Sequence, residues 1–470
     1  MKKAIFTIVG VAASVRILFS IPSFIDVSRV YSIGDATGYE LLAVNLLDHN
    51  VFSLSEDPPY EPDPLRTPLY PLLLSAFYSI FGRRPRIILV LQIFISTLTA
   101  LMVYALGRKI NPRVAFAGAV LCGLSPNLTF YSTMLLTEVL FTFLLITGIF
   151  MFIRLFDSHG LSRTVLSGFL FGLSSLTRPI SLYFPLIMSV PLLWAFRGEL
   201  RKGIYLVAVF LGVYLVSLSP WIVRNVKTHD RLIFTTAGEL NIFHYHAAMV
   251  KSVLERIGVD DARRELGLEA IGKAEQLGIN SSDEAQISLA WSSVALGYLK
   301  KSPLIYLRLH GLGFISSLLL PLPMNPLITY FAPSDGDFSL RRSVMQDAFS
   351  LLSRNKPIQA ITLVWRERIE KIPLFALIVY MFGAVFQLGL LTGILFFFTT
   401  SPRRMKDLWI LVLPILYFML VPGPLAGPRF RAPVEPLLII IATLGFWKKF
   451  GREQACKPSS VSRLGRDGDH

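Results

Sequence analysis

The feature that most limits what this chain can fold into is a succession of apolar runs near bilayer length, the first of them following Lys2-Lys3 and reaching Phe24. A bilayer core takes roughly 20 helical residues to cross, and inside it every backbone N–H and C=O must be paired within its own segment. Such runs dictate helices. Further spans read at 87–107, 114–132, 139–156, 164–180, 182–196, 203–222, 373–398, 407–421 and 433–447, several of them short or kinked at Pro179, Pro185 and Pro191. The expected fold class is an all-α polytopic membrane protein, a bundle of about ten transmembrane helices with two large extracytoplasmic loops. Composition agrees: 53% hydrophobic and 16% charged residues with a mean hydropathy of +0.57 exclude an ordinary soluble domain of 470 residues.

The net charge of +15, from 46 Lys+Arg against 31 Asp+Glu, raises nucleic acid as a partner. The cations, however, flank apolar runs, which is how cytoplasmic loops beside anionic lipid read. Nucleic acid is therefore set aside and membrane lipids are the expected surroundings. Lys2/Lys3, Arg108/Lys109/Arg113, Arg154/Arg163, Arg197/Arg201/Lys202, Arg403/Arg404/Lys406 and Lys448/Lys449/Arg452 all fall on one side, which makes that side and both termini cytoplasmic. The first span is expected to be uncleaved. A signal peptide cut near Val11-Ala12-Ala13 is the rival reading, and it would spoil this parity. Arg16, inside the span, must snorkel or face a polar cavity.

The extracytoplasmic loops are then 25–86 and 223–372, within a transmembrane domain of residues 1–450 followed by a cytoplasmic tail, 451–470, expected to be disordered. Two apolar stretches, 68–82 with Pro71 and 302–323 with Arg308 and His310, read as re-entrant or interfacial, although counting both as spans keeps the same parity. Val250–Lys300 has helix-like apolar spacing with many charges and reads as a solvated helical insert. Cys122 and Cys456 lie in unlike surroundings and suggest neither a disulfide nor a metal pair.

Chemistry is concentrated where spans leave the membrane. Gly34-Asp35-Ala36-Thr37-Gly38-Tyr39 leads into an amphipathic run to Leu47, so Asp35 meets lipid headgroup and water together. It serves either as a helix cap or as a catalytic carboxylate. Glu138 opens a span on the same side, where an acid is costly without a partner or a function, unless it answers the helix dipole. Arg66, Arg178, Arg224, Arg429 and Arg431 map to that side too, each open to reading as a juxtamembrane anchor or as an anion ligand.

Taken together, the Asp35 loop, Arg66-Thr67-Pro68-Leu69-Tyr70-Pro71, Leu136-Thr137-Glu138, Leu176-Thr177-Arg178-Pro179, Pro220-Trp221-Ile222-Val223-Arg224-Asn225 and Gly427-Pro428-Arg429-Phe430-Arg431 through Pro436 resemble the GT-C glycosyltransferases. The nearest likeness is to the bacterial family that includes the aminoarabinose transferase of lipid A and the protein O-mannosyltransferases. The resemblance runs to about Phe450. It implies a polyprenyl-phosphate sugar donor, a first-loop acid as general base at Asp35, and a second active-site acid at Glu138. Arg66, Tyr70, Arg178, Arg224, Arg429 and Arg431 are the substrate-binding candidates. Relatives often carry Asp-Glu where this chain has Asp35-Ala36, so one acid stands there instead of two.

The expected activity is transfer of a sugar from that donor, with inversion, to a hydroxyl of a glycan, lipid or protein in the cell envelope. His244-Tyr245-His246 would point the two imidazoles the same way on a strand and let them share a metal with an acid such as Asp63. Related transferases can hold a divalent metal near the donor phosphate. The ligand pattern is not legible in this chain, and no metal is assigned. A transporter or flippase would bring paired halves with matching broken spans, of which the sequence shows none. A non-catalytic homologue that binds polyprenyl phosphate remains open through Ala36.

Overall fold

The computed structural model describes residues 2–156, 160–281, 283–332, 343–400 and 405–455, with the backbone alone at 405–408 and 451–455. Arg403, Arg404 and the tail beyond 455 lie outside the described residues, among which there is no named strand. The first half comprises α1 (Lys2–Ile25), α2 (Asp35–His49), α3 (Leu69–Phe81), α4 (Pro85–Ile110), α5 (Pro112–Leu124), α6 (Pro126–Tyr131), α7 (Glu138–Leu155), α8 (Leu161–Thr177), α9 (Phe184–Ala195) and α10 (Leu200–His229). The second half comprises α11 (Ala237–Asn241), α12 (Ala248–Glu255), α13 (Val259–Gln276), α14 (Glu284–Lys301), α15 (Pro303–Leu319), α16 (Met324–Phe331), α17 (Val344–Ser353), α18 (Pro357–Val364), α19 (Leu374–Thr400), α20 (Met405–Leu420), α21 (Pro428–Arg431) and α22 (Glu435–Ala455).

The all-α membrane bundle is confirmed; the count of ten spans is not. Six helices among the described residues are long and apolar enough to cross a membrane: α1, α4, α7, α10, α19 and the continuous run Pro428–Phe450. The other expected spans form shorter helices. Span 114–132 breaks in two because Pro126 has no N–H to give and Ser125 caps the next turn, its hydroxyl accepting from the Leu128 amide. That break frees carbonyls at the end of α5, and Arg16 takes them.

The Arg16 guanidinium donates to Gly123 O at 2.9 Å, to Ala12 O at 3.0 Å and to Ser96 Oγ at 2.6 Å, and the side chain is fully buried. It neither snorkels nor faces a cavity. It caps a helix inside the bundle. Of the two ambiguous stretches, α3 has 13 residues, about 20 Å, too short for the core. The other becomes α15 and α16, which together are apolar and long enough but bend by 48° at their junction, the geometry of a broken span or a re-entrant loop.

One apolar core runs through α1, α4, α5, α7, α8, α9 and α22. A second, built on Phe243, Val250, Leu266 and Phe349, holds the insert between α10 and α19 together. Within the insert the Lys251 ammonium is buried against Glu255, Glu265 and Glu269 at 2.9–3.0 Å. The bundle has two chemically different ends. At one, Arg113 stands over the Trp447 ring at 5.2 Å and Trp194 meets Trp409 at 5.9 Å. At the other gather the first loop, the insert, the start of α7, the end of α8 and the turn before α22.

Candidate functional site

Asp35 is the first residue of α2, behind Gly34, and makes no side-chain cap. Its carboxylate instead faces two cations. Arg66 Nη2 donates to Oδ1 at 2.8 Å and Arg429 Nη1 donates to Oδ2 at 2.6 Å. Glu138, the first residue of α7, is 1% exposed, and its Oε1 lies 2.6 Å from Arg178 Nη1 and also accepts from Arg429 Nε. One guanidinium thus bridges both acids.

Each cation is set by local backbone chemistry. Arg178 sits between the end of α8 and Pro179 in an extended conformation, as a residue before proline must. Its guanidinium is flanked by the Phe141 and Phe430 rings, each 5.7 Å away. Arg66 lies in a loop pinned on three sides: Asp63 Oδ2 accepts the Arg66 amide at 2.8 Å, Thr67 Oγ1 donates to Thr177 O at 2.9 Å, and the Thr236 amide donates to Pro64 O at 3.0 Å. Its guanidinium stands 5.1 Å from the Tyr39 ring centroid, and its Nε–H, though buried, has no protein acceptor. Arg429 stands on the single turn that Gly427-Pro428 starts.

Three guanidiniums therefore face two carboxylates, leaving one positive charge in excess at a half-buried spot. Burial pushes the Asp35 carboxyl up, but Arg429 and Arg66 more than offset this and hold it well below the usual carboxylate range. Asp63 is pushed the other way by burial while it shapes the Arg66 loop. Its proline-rich setting was the only signal of that role in the sequence.

The remaining candidates are held elsewhere. Tyr70 is buried behind Tyr39, with ring centroids 5.3 Å apart, and its hydroxyl donates to Gln92 at 2.9 Å. Arg224 binds the first loop, donating to Asp63 O at 3.0 Å and Phe52 O at 3.2 Å, with its guanidinium over the Trp221 and Phe52 rings. Arg431 is 1% exposed and gives its donors to Glu435 at 3.1 Å, to Ser317 O and Leu320 O at 2.8 and 2.6 Å, and to Pro321 O at 2.8 Å. Glu435 and Asn127, which complete that buried network, were not singled out from sequence.

A divalent cation does not fit these side chains. Both acids are already faced by guanidiniums, which would repel a cation, and among the described residues no three His, Cys, Asp or Glu side chains are grouped to ligate one. His244 and His246 lie on a π-helical turn, Ile242–Ala247, and not on a strand, so the shared direction that a strand would give them is lost.

Comparison with known proteins adds the following. A family model described as dolichyl-phosphate-mannose-protein mannosyltransferase matches residues 63–223, which include Arg66, Glu138, Arg178 and the start of the Arg224 motif. No curated protein sequence matches the chain. Among solved structures, it is similar to the oligosaccharyltransferase AglB of Archaeoglobus fulgidus, solved with an inhibitory peptide and a dolichol-phosphate: TM-score 0.50, 14% identity, covering 98% of this chain and 52% of that one. The apo form of the A. fulgidus enzyme gives a TM-score of 0.50 at 16% identity, covering 96% and 51%. The chain thus spans about half the length of the solved structures it matches. At this identity the likeness establishes the fold alone, an all-helical membrane bundle built like about half of the A. fulgidus oligosaccharyltransferase.

Proposed function

We propose that this chain, a multi-pass membrane protein with a GT-C-type fold and a mannosyltransferase-like segment at 63–223, transfers a sugar from a polyprenyl-phosphate donor to an acceptor hydroxyl. The site faces the extracytoplasmic side, at the bundle end opposite the basic clusters. The observation that carries the reading is Arg429 bridging Asp35 and Glu138 with Arg66 and Arg178 beside it. A leaving lipid phosphate gathers negative charge in the transition state, and planar, preorganised guanidiniums stabilise that charge.

Of the two acids, Asp35 is the general base because its side chain is 26% exposed while that of Glu138 is 1% exposed. The acceptor oxygen attacks the anomeric carbon from the face opposite the phosphate, its proton passes to an Asp35 oxygen, and the electron pair of the breaking C–O bond leaves with the lipid phosphate. The configuration inverts. A phosphate arriving among these cations competes with Asp35 for Arg66 and Arg429, and Arg66 also carries a buried Nε–H with no protein acceptor. As the guanidiniums turn to phosphate, the carboxylate that they hold acidic becomes a stronger base. Glu138 anchors Arg178 and Arg429 from beneath.

Mass spectrometry of envelope glycans and polyprenyl-phosphate sugars from cells with and without the gene tests this. Loss of one sugar with accumulation of its lipid-linked donor is expected. Unchanged glycans and unchanged donor pools would refute transfer and leave a protein that only binds the lipid.

A further inference from the structure

The His244-Tyr245-His246 motif has no part in the chemistry above, yet one of its rings is buried against the segment that presents Arg429. His246 is 5% exposed. Its Nε2 lies 3.1 Å from Pro422 O and its Nδ1 lies 3.2 Å from the Tyr306 hydroxyl of α15. Both contacts are satisfied by one neutral tautomer, with Nε2–H donating to the carbonyl and Nδ1 accepting from the tyrosine. Burial pulls His246 down to about 4, with His310 adding to the effect, so the ring is a neutral donor at ordinary pH. Tyr306 and His310, both on α15, are the titratable groups around it.

The next residue, Gly423, has φ +54°, and a Cβ there would lie 3.0 Å from His310 Nδ1 and 3.1 Å from His246 Cε1. The two imidazoles grip its bare Cα. Gly313 of α15 meets the Gly423 carbonyl so closely that a Cβ would stand 2.0 Å from the oxygen. From this turn the chain runs through Ala426, whose amide donates to Gly423 O at 2.9 Å, and Gly427, whose carbonyl accepts from Ser317 at 3.1 Å, to Arg429 two residues on.

We propose that His246 is a positioning residue for Arg429, acting through the Pro422-Gly423 turn and tying the extramembrane insert to the site. It touches neither acid, and no reacting group would reach it. Its work is to fix where the Gly423–Arg431 segment begins, and with it the guanidinium that must lie between Asp35 and Glu138. Misplacing such a group by about 1 Å costs on the order of 10²-fold in rate.

The activity arm of the test rests on the glycosyltransferase reading; the exchange arm does not. Hydrogen exchange is measured on the full chain in detergent for wild type, His246→Leu and His246→Gln. The Gln variant can still place an N–H near the Pro422 carbonyl. Faster exchange at the Leu425 and Ala426 amides is expected in His246→Leu, with protection restored in His246→Gln. In transfer assays, His246→Leu is expected to lose up to about 10²-fold in kcat with little change in KM, and Gln to recover most of it. Should the leucine variant not fold, Tyr306→Phe, which removes only the hydroxyl that fixes the tautomer, is read in the same two ways. Unchanged exchange in His246→Leu, or a Gln variant as loose and as slow as Leu, overturns the proposal. A wild-type protein without transfer activity overturns the proposed function, and the exchange result still decides whether the clamp exists.

Discussion

Asp35 is held between opposing influences, and the balance sets two measurable outcomes. Replacing it by asparagine keeps size and most of the hydrogen bonding to Arg66 and Arg429 but removes the proton acceptor. Turnover should fall by about 10²–10⁴-fold while donor binding persists. An Asp35→Asn protein that turns over at the wild-type rate would make the carboxylate a structural ion-pair partner. The second outcome concerns pH. Burial raises this carboxyl, but Arg429 and Arg66 lower it further, so in the folded protein it stays ionised below the range where a free aspartate takes up its proton, about 3.9. The stability it contributes is fully present above that unfolded value and is lost as pH falls through the lower folded one. The acid limb of kcat/KM in the wild type should therefore lie below the ordinary carboxylate range, and in Arg66→Gln, with one of the two cations gone, it should move upward. A limb that stays in place when Arg66 is removed would separate Asp35 from the pH profile.

At the scale of elements, the turn Pro428–Arg431 gives its two arginines different tasks. They are two residues apart, so on a helical turn they point to nearly opposite sides. Arg429 reaches the acids. Arg431 turns inward to Glu435, which also accepts from Ser125 and Asn127 at the break between α5 and α6. Removing one partner of such a buried pair leaves an uncompensated charge and costs about 3–5 kcal/mol. Arg431→Leu should lower the unfolding temperature in detergent substantially, and Arg429→Lys should leave it nearly unchanged; the reverse ranking would return Arg431 to the substrate site. Here the limits of the sequence become physical. The motif around Arg429 is visible as letters, but which arginine faces the carboxylates depends on where one short turn starts, and that is set by Gly427 and by contacts with α15 far along the chain. Arg16 is a similar case: its cation stands out in an apolar run, whereas the carbonyls it caps appear only once Pro126 has broken the neighbouring helix.

For the molecule as a whole, hydropathy made the bundle legible because bilayer thickness imposes a length that composition cannot disguise. Its count of ten spans is not confirmed where proline and serine split a run, as at Ser125-Pro126, or where the helix that forms is short, as in α9 with Pro191 inside it. The sequence placed Asp35, Arg66, Glu138, Arg178 and Arg429 on a shared side, and the family resemblance made them candidates for one site, but neither says which cation meets which acid. The contacts that make them one cluster join segments up to 394 positions apart, and no local pattern encodes those. Sidedness is where the two levels meet. Arg154 and Glu138 terminate opposite ends of α7, and Lys448 and Glu435 lie toward opposite ends of α22, so the basic clusters and the acids cannot share a membrane face if these helices cross it. In the proposed function the excess of arginine and lysine marks the cytoplasmic face, as the positive-inside rule has it. In a chain freed of Cys122 and Cys456, a cysteine replacing Glu61 in the first loop should react with an impermeant maleimide added to intact cells. One replacing Lys109 in the last turn of α4 should react only after the membrane is opened. Labelling of Lys109→Cys from outside, with Glu61→Cys protected, would invert the bundle, and with it the side on which any sugar is transferred.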